Sequence, residues 1–181
     1  MSELITSAVL EIISNVPKSS LKQSEIPHIH AQRIANGAAS KAAMVAGSLA
    51  LPPGPAGWIT ILPELLMVWR IQAKMVADIA SVYGKSGSLT PESLIYCLFR
   101  HAAAQATRDI VVRIGERTVV KKMSASALQK TAMMVGLKIT QKSAARVVGR
   151  WVPVLGAAAV AGYAAYDTKG VAKKAVEIYS A

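Results

Sequence analysis

Apolar residues recur at helical spacing along most of the chain, and this pattern predicts a protein built from α-helices. The first segment has one apolar helical face, formed by Leu4, Ile5, Ala8, Val9, Ile12 and Ile13. Ser2 and Glu3 suit the start of this helix, and Pro17 suits its end. We therefore expect a first helix from Ser2 to about Val16.

A polar linker then leads to a second predicted helix, from near Pro27 to about Leu49. Its second half, GAASKAAMVAGSLA, consists largely of small residues, so a neighbouring helix can approach it closely. The same small residues leave oligomerisation open. We expect residues 1–34 to be an N-terminal helix and linker that pack on a helical domain formed by residues 35–181.

The stretch LPPGPAGWITILPELL, residues 51–66, interrupts the helical pattern. Residues 42–63 carry no charge, and a bilayer span needs only about 20 residues. However, the prolines at positions 52, 53 and 55 remove backbone donors in the middle of this stretch. We therefore expect two helices joined by a tight Pro/Gly bend. The helix after the bend should run from near Ile59 or Pro63 to Tyr83, with Gly84 as its left-handed terminator.

Capping residues predict the next two helices. Thr90 suits an N-cap and Pro91 the first helical position. The pattern predicts that this helix continues to about Lys122, with a break near Thr107. Ser124 or Ser126 would cap the following helix, in which Gly136 and Gly149 are candidate breaks or close-packing points.

The last segment begins with a second Pro/Gly break, at Pro153 and Gly156, followed by the small residues AAAVAGYAA. Ala158, Gly162 and Ala165 have the spacing of a tight helix contact, and Asp167 and Thr168 could cap a last amphipathic piece. The fold class predicted is all-α, a helical bundle with two central apolar hairpins broken by Pro/Gly turns. The apolar hairpin residues expected to meet a membrane are Leu51, Pro52, Pro53, Trp58, Ile59, Trp151, Val152 and Leu155.

The composition fits a helical bundle with apolar hairpins. Hydrophobic residues make up 52% of the chain and charged residues only 17%, against about 25% charged residues in ordinary chains. The single cysteine, Cys97, cannot form an internal disulfide, which fits a reducing compartment. Its apolar neighbours suggest a buried side chain. The first residues lack a basic segment before an apolar run, so we expect no secretory signal and a cytoplasmic location, peripheral to the inner membrane.

The net charge is +11, and most of it lies between Arg100 and Arg150. This segment contains eleven Lys or Arg residues but only two acidic residues. Many of these cations recur every four residues, which on a helix places them along one face. One reading is a solvated basic face. The other is a surface that binds anions, with Arg113, Arg117, Lys121, Lys122, Lys138, Lys142, Arg146 and Arg150 as candidate residues.

An anionic membrane is the favoured partner for this surface. Apolar breaks lie beside the basic segments, and each Lys or Arg near an anionic leaflet adds about 1 kcal/mol. Nucleic acid is not the expected partner, because residues 102–150 hold no aromatic side chain that could stack on a base, and no nucleic-acid-binding motif is present.

No pattern of residues predicts a catalytic or metal site. Phosphate-binding and nucleophile motifs are absent, so we expect neither enzyme activity nor a cofactor. His28 and His30 would face different sides of a helix, which argues against a shared metal. A polar group formed by Glu64, Arg70, Lys74 and Asp78 is predicted to be an internal clasp. In it Lys74 pairs with Asp78, and either Arg70 or Lys74 reaches another helix or a lipid headgroup; an ion or proton site is the alternative.

Two segments, GPAGWITILPELLMVWRIQAKMVADIASVYG and RWVPVLGAAAVAGYAAYDTKGVAKKAVEIY, resemble the EcsC protein family. They are also similar to the helical hairpin domains that accompany some bacterial Era-like GTPases. The resemblance covers most of residues 35–180, and Glu64 corresponds to the acidic residue of the first hairpin. The motif residues that carry it are Gln72, Val76, Ile79, Ala80, Tyr83, Gly84, Pro153, Gly156 and Ala157. It implies an all-helical, membrane-associated bacterial protein with no established enzyme activity and no catalytic residues.

The leading hypothesis is a non-enzymatic protein that docks on an anionic cytoplasmic membrane through basic helices and apolar hairpins. A soluble adaptor for a protein partner, such as a GTPase or a transporter subunit, is the first alternative. A pore-forming or membrane-disrupting effector is the second.

Overall fold

The structure, a computed structural model, describes residues 2–49, 57–101, 103–114, 117–149 and 153–180. For residues 57–61, 142–149 and 153–156 it describes the backbone only. These residues form six α-helices: α1 (Ser2–Ser14), α2 (Pro27–Leu49), α3 (Gly57–Val82), α4 (Pro91–Phe99), α5 (Ala125–Gly149) and α6 (Pro153–Tyr179). Between α4 and α5 lies one antiparallel pair of short strands, β1 (Val111–Ile114) and β2 (Arg117–Val120). The all-α prediction is confirmed.

Helix α4 lies at the centre of the molecule. All of its residues from Glu92 to Phe99 are buried, and it contacts α1, α3, α5 and α6. Trp69 of α3 packs edge-to-face on Phe99, with ring centroids 5.1 Å apart, an arrangement that aromatic pairs favour. Side chains of α1, including Ile5 and Val9, belong to the same core. The predicted apolar face of α1 is buried apart from Leu4, which is 59% exposed.

Helices α2, α3 and α6 pack on one another, and α2 and α6 make the most extensive contact in the fold. Their axes come close because the contact is made by small residues, including Ala42 and Ala46, both fully buried. A Cβ at Gly47 would lie 3.2 Å from the Cβ of Ala161. The predicted close approach to the second half of α2 is therefore confirmed.

The part of α6 that makes this contact differs from the prediction. Ala158 and Gly162 are exposed. The contact is made by the small residues one position before the predicted ones: Ala157 and Ala164, which are buried, and Ala161, which lies against Gly47. Asp167 and Thr168 cap nothing, because α6 runs through them without a break. The Thr168 hydroxyl donates to the Ala164 carbonyl four residues back, which satisfies it inside the helix.

Several predicted helix ends are confirmed. Gly84 has φ +71° and ends α3. Its N–H donates a hydrogen bond to the Ser81 carbonyl at 2.8 Å, and the Lys85 N–H donates to the Ala80 carbonyl at 2.8 Å. Thr90 is the N-cap of α4 and Pro91 is its first residue. The Ser124 hydroxyl accepts the Ala127 N–H at the start of α5.

Helix α3 begins at Gly57 and contains Pro63, close to the predicted start near Ile59 or Pro63. The predicted Pro/Gly bend, with Leu51, Pro52 and Pro53, lies outside the described residues, and so do Trp151 and Val152 of the second break. None of the described helices combines the length and the apolar character that crossing a membrane requires.

The predicted helix to about Lys122 is wrong. Helix α4 ends at Phe99, and the chain then forms the β1–β2 pair, in which Val111 opposes Val120 and Ile114 opposes Arg117. The sequences VVRI and RTVV are rich in β-branched residues, which favour strands over helices. The basic residues around positions 113–121 therefore do not share one helical face.

Candidate anion-binding surface

The two faces of the β1–β2 pair differ in what they meet. Thr118 is buried, and its hydroxyl donates to the Glu177 carboxylate of α6 at 3.4 Å, so one face lies against α6. Side chains alternate along a strand, so the opposite face carries Val112, Ile114, Arg117 and Val119. Ile114 is 64% exposed and Val119 is 42% exposed. We call these four residues the outer hairpin face; it combines exposed apolar side chains with a cation.

Arg113 lies on the same face of the strand pair as Thr118, although its side chain is 79% exposed. Its guanidinium is 3.8 Å from the Glu177 carboxylate. Lys174 donates a hydrogen bond to the Glu177 carboxylate at 2.5 Å. This hydrogen bond is the main reason why the pKa of the Glu177 carboxyl lies below its ordinary value. Arg113 and Arg117 thus lie on opposite faces of the strand pair, although their spacing of four residues predicted one helical face.

A cavity of about 440 Å³ lies beside β2, and we call it the β2 cavity. The exposed part of its lining carries four cations: Lys85, Arg117, Lys121 and Lys122. Its buried part includes Glu92, Thr118 and Tyr179. Three of the predicted anion-binding residues are therefore brought together, not along a helix but around one cavity.

Glu92 fixes the segment that carries two of these cations. Its carboxylate accepts the Met123 N–H at 3.1 Å, directly after Lys122. The Lys121 N–H donates to the Ile110 carbonyl at 2.8 Å. Burial alone would raise the pKa of Glu92, but the Met123 hydrogen bond, other hydrogen bonds and the charge of Lys122 together hold that pKa below its ordinary value. The segment after β2 is thus held at both of its ends.

Lys85 was not among the predicted site residues. It joins the β2 cavity because the left-handed turn at Gly84 ends α3 beside β2 and fixes the Lys85 backbone. The sequence signal for it was the Gly84 terminator followed directly by a cation, in a part of the chain where positive charge is not concentrated.

Helix α5 presents a second exposed surface. Ala132, Val135 and Ile139 are buried on its inner side. Its outer side carries the exposed residues Lys130, Met133, Met134, Leu137 and Lys138, which we call the α5 outer face. The whole helix, Ala125–Gly149, has no acidic residue. Apolar and cationic side chains therefore alternate here without a carboxylate on the same helix.

The remaining predicted residues lie partly outside the description. Lys142 and Arg146 belong to α5, but their side chains are not described, and Arg150 lies outside the described residues. The side chains of Trp58, Ile59 and Leu155 are likewise outside the description, although their backbones belong to α3 and α6.

The predicted polar clasp on α3 is confirmed only in its pairing, because Arg70 and Lys74 are largely exposed and the clasp is not internal. Lys74 pairs with Asp78, whose carboxylate also accepts the Ser19 hydroxyl at 2.6 Å. Arg70 reaches another helix, with its guanidinium 2.6 Å from the Glu11 carboxylate of α1. These contacts join α3 to α1 and to the linker, which is a structural role.

A second polar group links α3 to α6. Gln72 is fully buried and donates to the Asp167 carboxylate at 2.8 Å and to the Thr168 hydroxyl at 3.1 Å. Asp167 also pairs with His101. Among the described residues, no group of three His, Cys, Asp or Glu side chains is placed to hold a metal ion. Cys97 is fully buried, as predicted, and burial raises the pKa of its thiol.

Comparisons with protein families, with curated proteins and with solved structures return no match to this chain.

Proposed function

We propose that this protein is a non-enzymatic helical protein that docks peripherally on an anionic membrane surface. The α5 outer face carries the proposal, because exposed Met133 and Leu137, each more than half exposed, lie beside the exposed cations Lys130 and Lys138. A helix that rests in a lipid interface needs this combination of apolar and basic side chains. The resemblance to the EcsC family implies membrane association as well.

The energies involved favour reversible docking over insertion. Burying an exposed Met or Leu side chain completely stabilises by roughly 1.5 to 3 kcal/mol, so a half-exposed one contributes about 1 kcal/mol. Each cation near an anionic leaflet adds about 1 kcal/mol. Binding through the α5 outer face then depends on both contributions and weakens as salt screens the charges.

Flotation with vesicles tests the proposal. We expect recovery with vesicles that contain phosphatidylglycerol, little recovery with phosphatidylcholine alone, and a loss of recovery as salt rises. Equal recovery with neutral vesicles, or recovery that salt does not change, would contradict it. Dye release from the same vesicles would indicate a membrane-disrupting effector, and absence of binding to any vesicle would favour an adaptor for a protein partner.

Matched variants locate the contact. Met133→Ser with Leu137→Ser should lower recovery, whereas Met44→Ser should not, since Met44 is 66% exposed but lies on α2. Lys130→Gln with Lys138→Gln should lower recovery more than Lys169→Gln with Lys173→Gln, which removes the same charge from the exposed side of α6. Equal effects of the α5 variants and their controls would argue against a defined docking face.

A further inference from the structure

We propose that the β2 cavity binds a phosphomonoester group, and that the membrane lipid recognised by this protein is one whose headgroup ends in such a group. The lipid source rests on the proposed membrane docking. Binding of the phosphate group itself can be measured without a membrane.

The charge of the β2 cavity favours an anion. Four cations, Lys85, Arg117, Lys121 and Lys122, belong to its exposed lining. Within the described part of the chain, none of the four forms an ion pair with a carboxylate. The one acidic residue of the lining, Glu92, is buried and accepts the Met123 N–H. Lys122 acts on the Glu92 carboxylate through its charge, whereas Lys85, Arg117 and Lys121 are left to attract a charged group from outside.

The cations are also placed before any ligand arrives. Backbone hydrogen bonds fix Lys85 to the end of α3 and Lys121 to Ile110, and the Glu92 carboxylate accepts the Met123 N–H. A site whose backbone is already ordered loses less conformational entropy on binding than a mobile loop does. A row of lysines on a free surface lacks this advantage.

The size and the composition of the lining fit a phosphomonoester better than a phosphodiester. A volume of about 440 Å³ admits a terminal phosphate group with the first atoms that carry it. A monoester has a charge of about −1.5 to −2 at neutral pH and three terminal oxygens, which several separate cations can contact together. Arg117 can also bind two of the oxygens through its planar guanidinium. A diester carries a single charge and is flanked by carbon chains on both sides, which hinder its entry into a cavity.

The location of the cavity connects it to the membrane. Arg117 and Val119 line the β2 cavity and also belong to the outer hairpin face. When the exposed Ile114 and Val119 touch a leaflet, the cavity therefore opens at the level of the headgroups. A terminal phosphate is the part of a lipid that projects furthest into water, so it can enter the cavity while its acyl chains stay in the leaflet.

Two vesicle types test the specificity. One contains phosphatidic acid, a lipid with a terminal phosphomonoester, and the other contains phosphatidylglycerol, with the amounts adjusted to equal surface charge. We expect about tenfold tighter binding to the phosphatidic acid vesicles, the effect of roughly one further charge-assisted hydrogen bond. Arg117→Gln with Lys121→Gln should abolish this preference, because it weakens binding to the phosphatidic acid vesicles more than binding to the phosphatidylglycerol vesicles; since Arg117 also belongs to the outer hairpin face, binding to both types should fall somewhat. Lys130→Gln with Lys138→Gln, on α5, should weaken binding to both vesicle types and keep the preference.

A second measurement uses no membrane. Glycerol 3-phosphate is titrated into the full chain, and backbone amide shifts are followed by NMR. Saturable shifts around residues 117–122 and 85–88 in the native chain, absent in the Arg117→Gln, Lys121→Gln variant, would support the site. All four replaced side chains are exposed, so unfolding of the variants is not expected, and circular dichroism checks it.

The outcomes separate this inference from the proposed function. Equal binding to both vesicle types, without saturable shifts, would overturn the phosphomonoester site while membrane docking stands. Saturable shifts without binding to any vesicle would overturn the lipid as its source and the proposed docking as well, and would assign the β2 cavity to a soluble phosphomonoester.

Discussion

A methyl group at Gly136 tests how closely α1 and α5 cross. The Cβ that Gly136→Ala adds would lie 2.3 Å from the Thr6 Oγ1 and 3.0 Å from the Thr6 Cα. The hydroxyl can rotate away, but the Cα belongs to the backbone of α1. Because carbon atoms pack best at about 3.5 to 4.0 Å, α1 would have to move away from α5 by roughly half an ångström or more.

Two effects of opposite sign set the size of the change. Overpacking of this kind costs about 1 to 3 kcal/mol. Replacing Gly by Ala inside a helix stabilises by about 1 kcal/mol. We therefore expect Gly136→Ala to lower the free energy of unfolding by between about 0 and 2 kcal/mol.

Gly162→Ala on α6 is the matched control, since a Cβ there meets nothing within 4 Å. It should stabilise the protein by about 1 kcal/mol. The difference between the two variants cancels helix propensity and leaves the steric term, about 1 to 3 kcal/mol.

Urea unfolding followed by circular dichroism measures both variants. In thermal unfolding, Gly136→Ala should melt below Gly162→Ala by about 2 to 4 °C for each kcal/mol of difference. Thr6→Ala removes the closest atom and keeps the Cα, so combining it with Gly136→Ala should recover only part of the loss. If Gly136→Ala proved as stable as Gly162→Ala, the close crossing of α1 and α5 would be refuted.

Three further predictions concern buried polar and ionisable groups. The pKa of Glu92 in the folded state lies below its ordinary value. The ionised Glu92 carboxylate therefore stabilises the fold above about pH 4.3, and this stabilisation is lost as the pH falls through the folded-state pKa. Glu92→Gln should flatten the acid side of the curve of unfolding free energy against pH. Gln72→Leu should lower the free energy of unfolding by about 1 to 3 kcal/mol, because Asp167 and Thr168 lose a buried hydrogen-bond donor. Urea titration measures this change. The control Gln129→Leu, on the exposed side of α5, should change the free energy of unfolding little. Cys97 should not react with a thiol reagent at mildly alkaline pH until urea unfolds the chain, since burial removes access and raises the pKa of its thiol; rapid labelling of the native protein would contradict the packing of α4.

The hairpin shows where reading the sequence failed and why. Arg113, Arg117 and Lys121 recur every four residues, which suits one face of a helix, but the same spacing also occurs by coincidence in a pair of antiparallel strands. The β-branched residues on both sides of Gly115 carried the opposite signal, and it was the better guide. Charge spacing alone does not identify a helix.

Helix ends and close contacts were easier to predict than helix faces. Gly84, Thr90 and Ser124 act through local geometry, so their roles follow from a few neighbouring residues. Which face of α6 is buried depends on where α2 lies. The run of alanines and glycines in α6 has no polar side that would indicate this face. The β2 cavity draws its lining from residues 85–92, from residues 117–122 and from the end of α6, three distant parts of the chain that no local pattern joins.

The pairing of helices also has a consequence for how the chain folds. Helix α1 packs mainly on α5, and α2 packs most extensively on α6, so the two earliest helices have their chief partners in the last third of the sequence. Such distant contacts slow the search for the native state. During synthesis, the apolar face of α1 stays uncovered until α5 has emerged from the ribosome, and that of α2 until α6 has emerged. Over that interval these faces can aggregate or bind a chaperone.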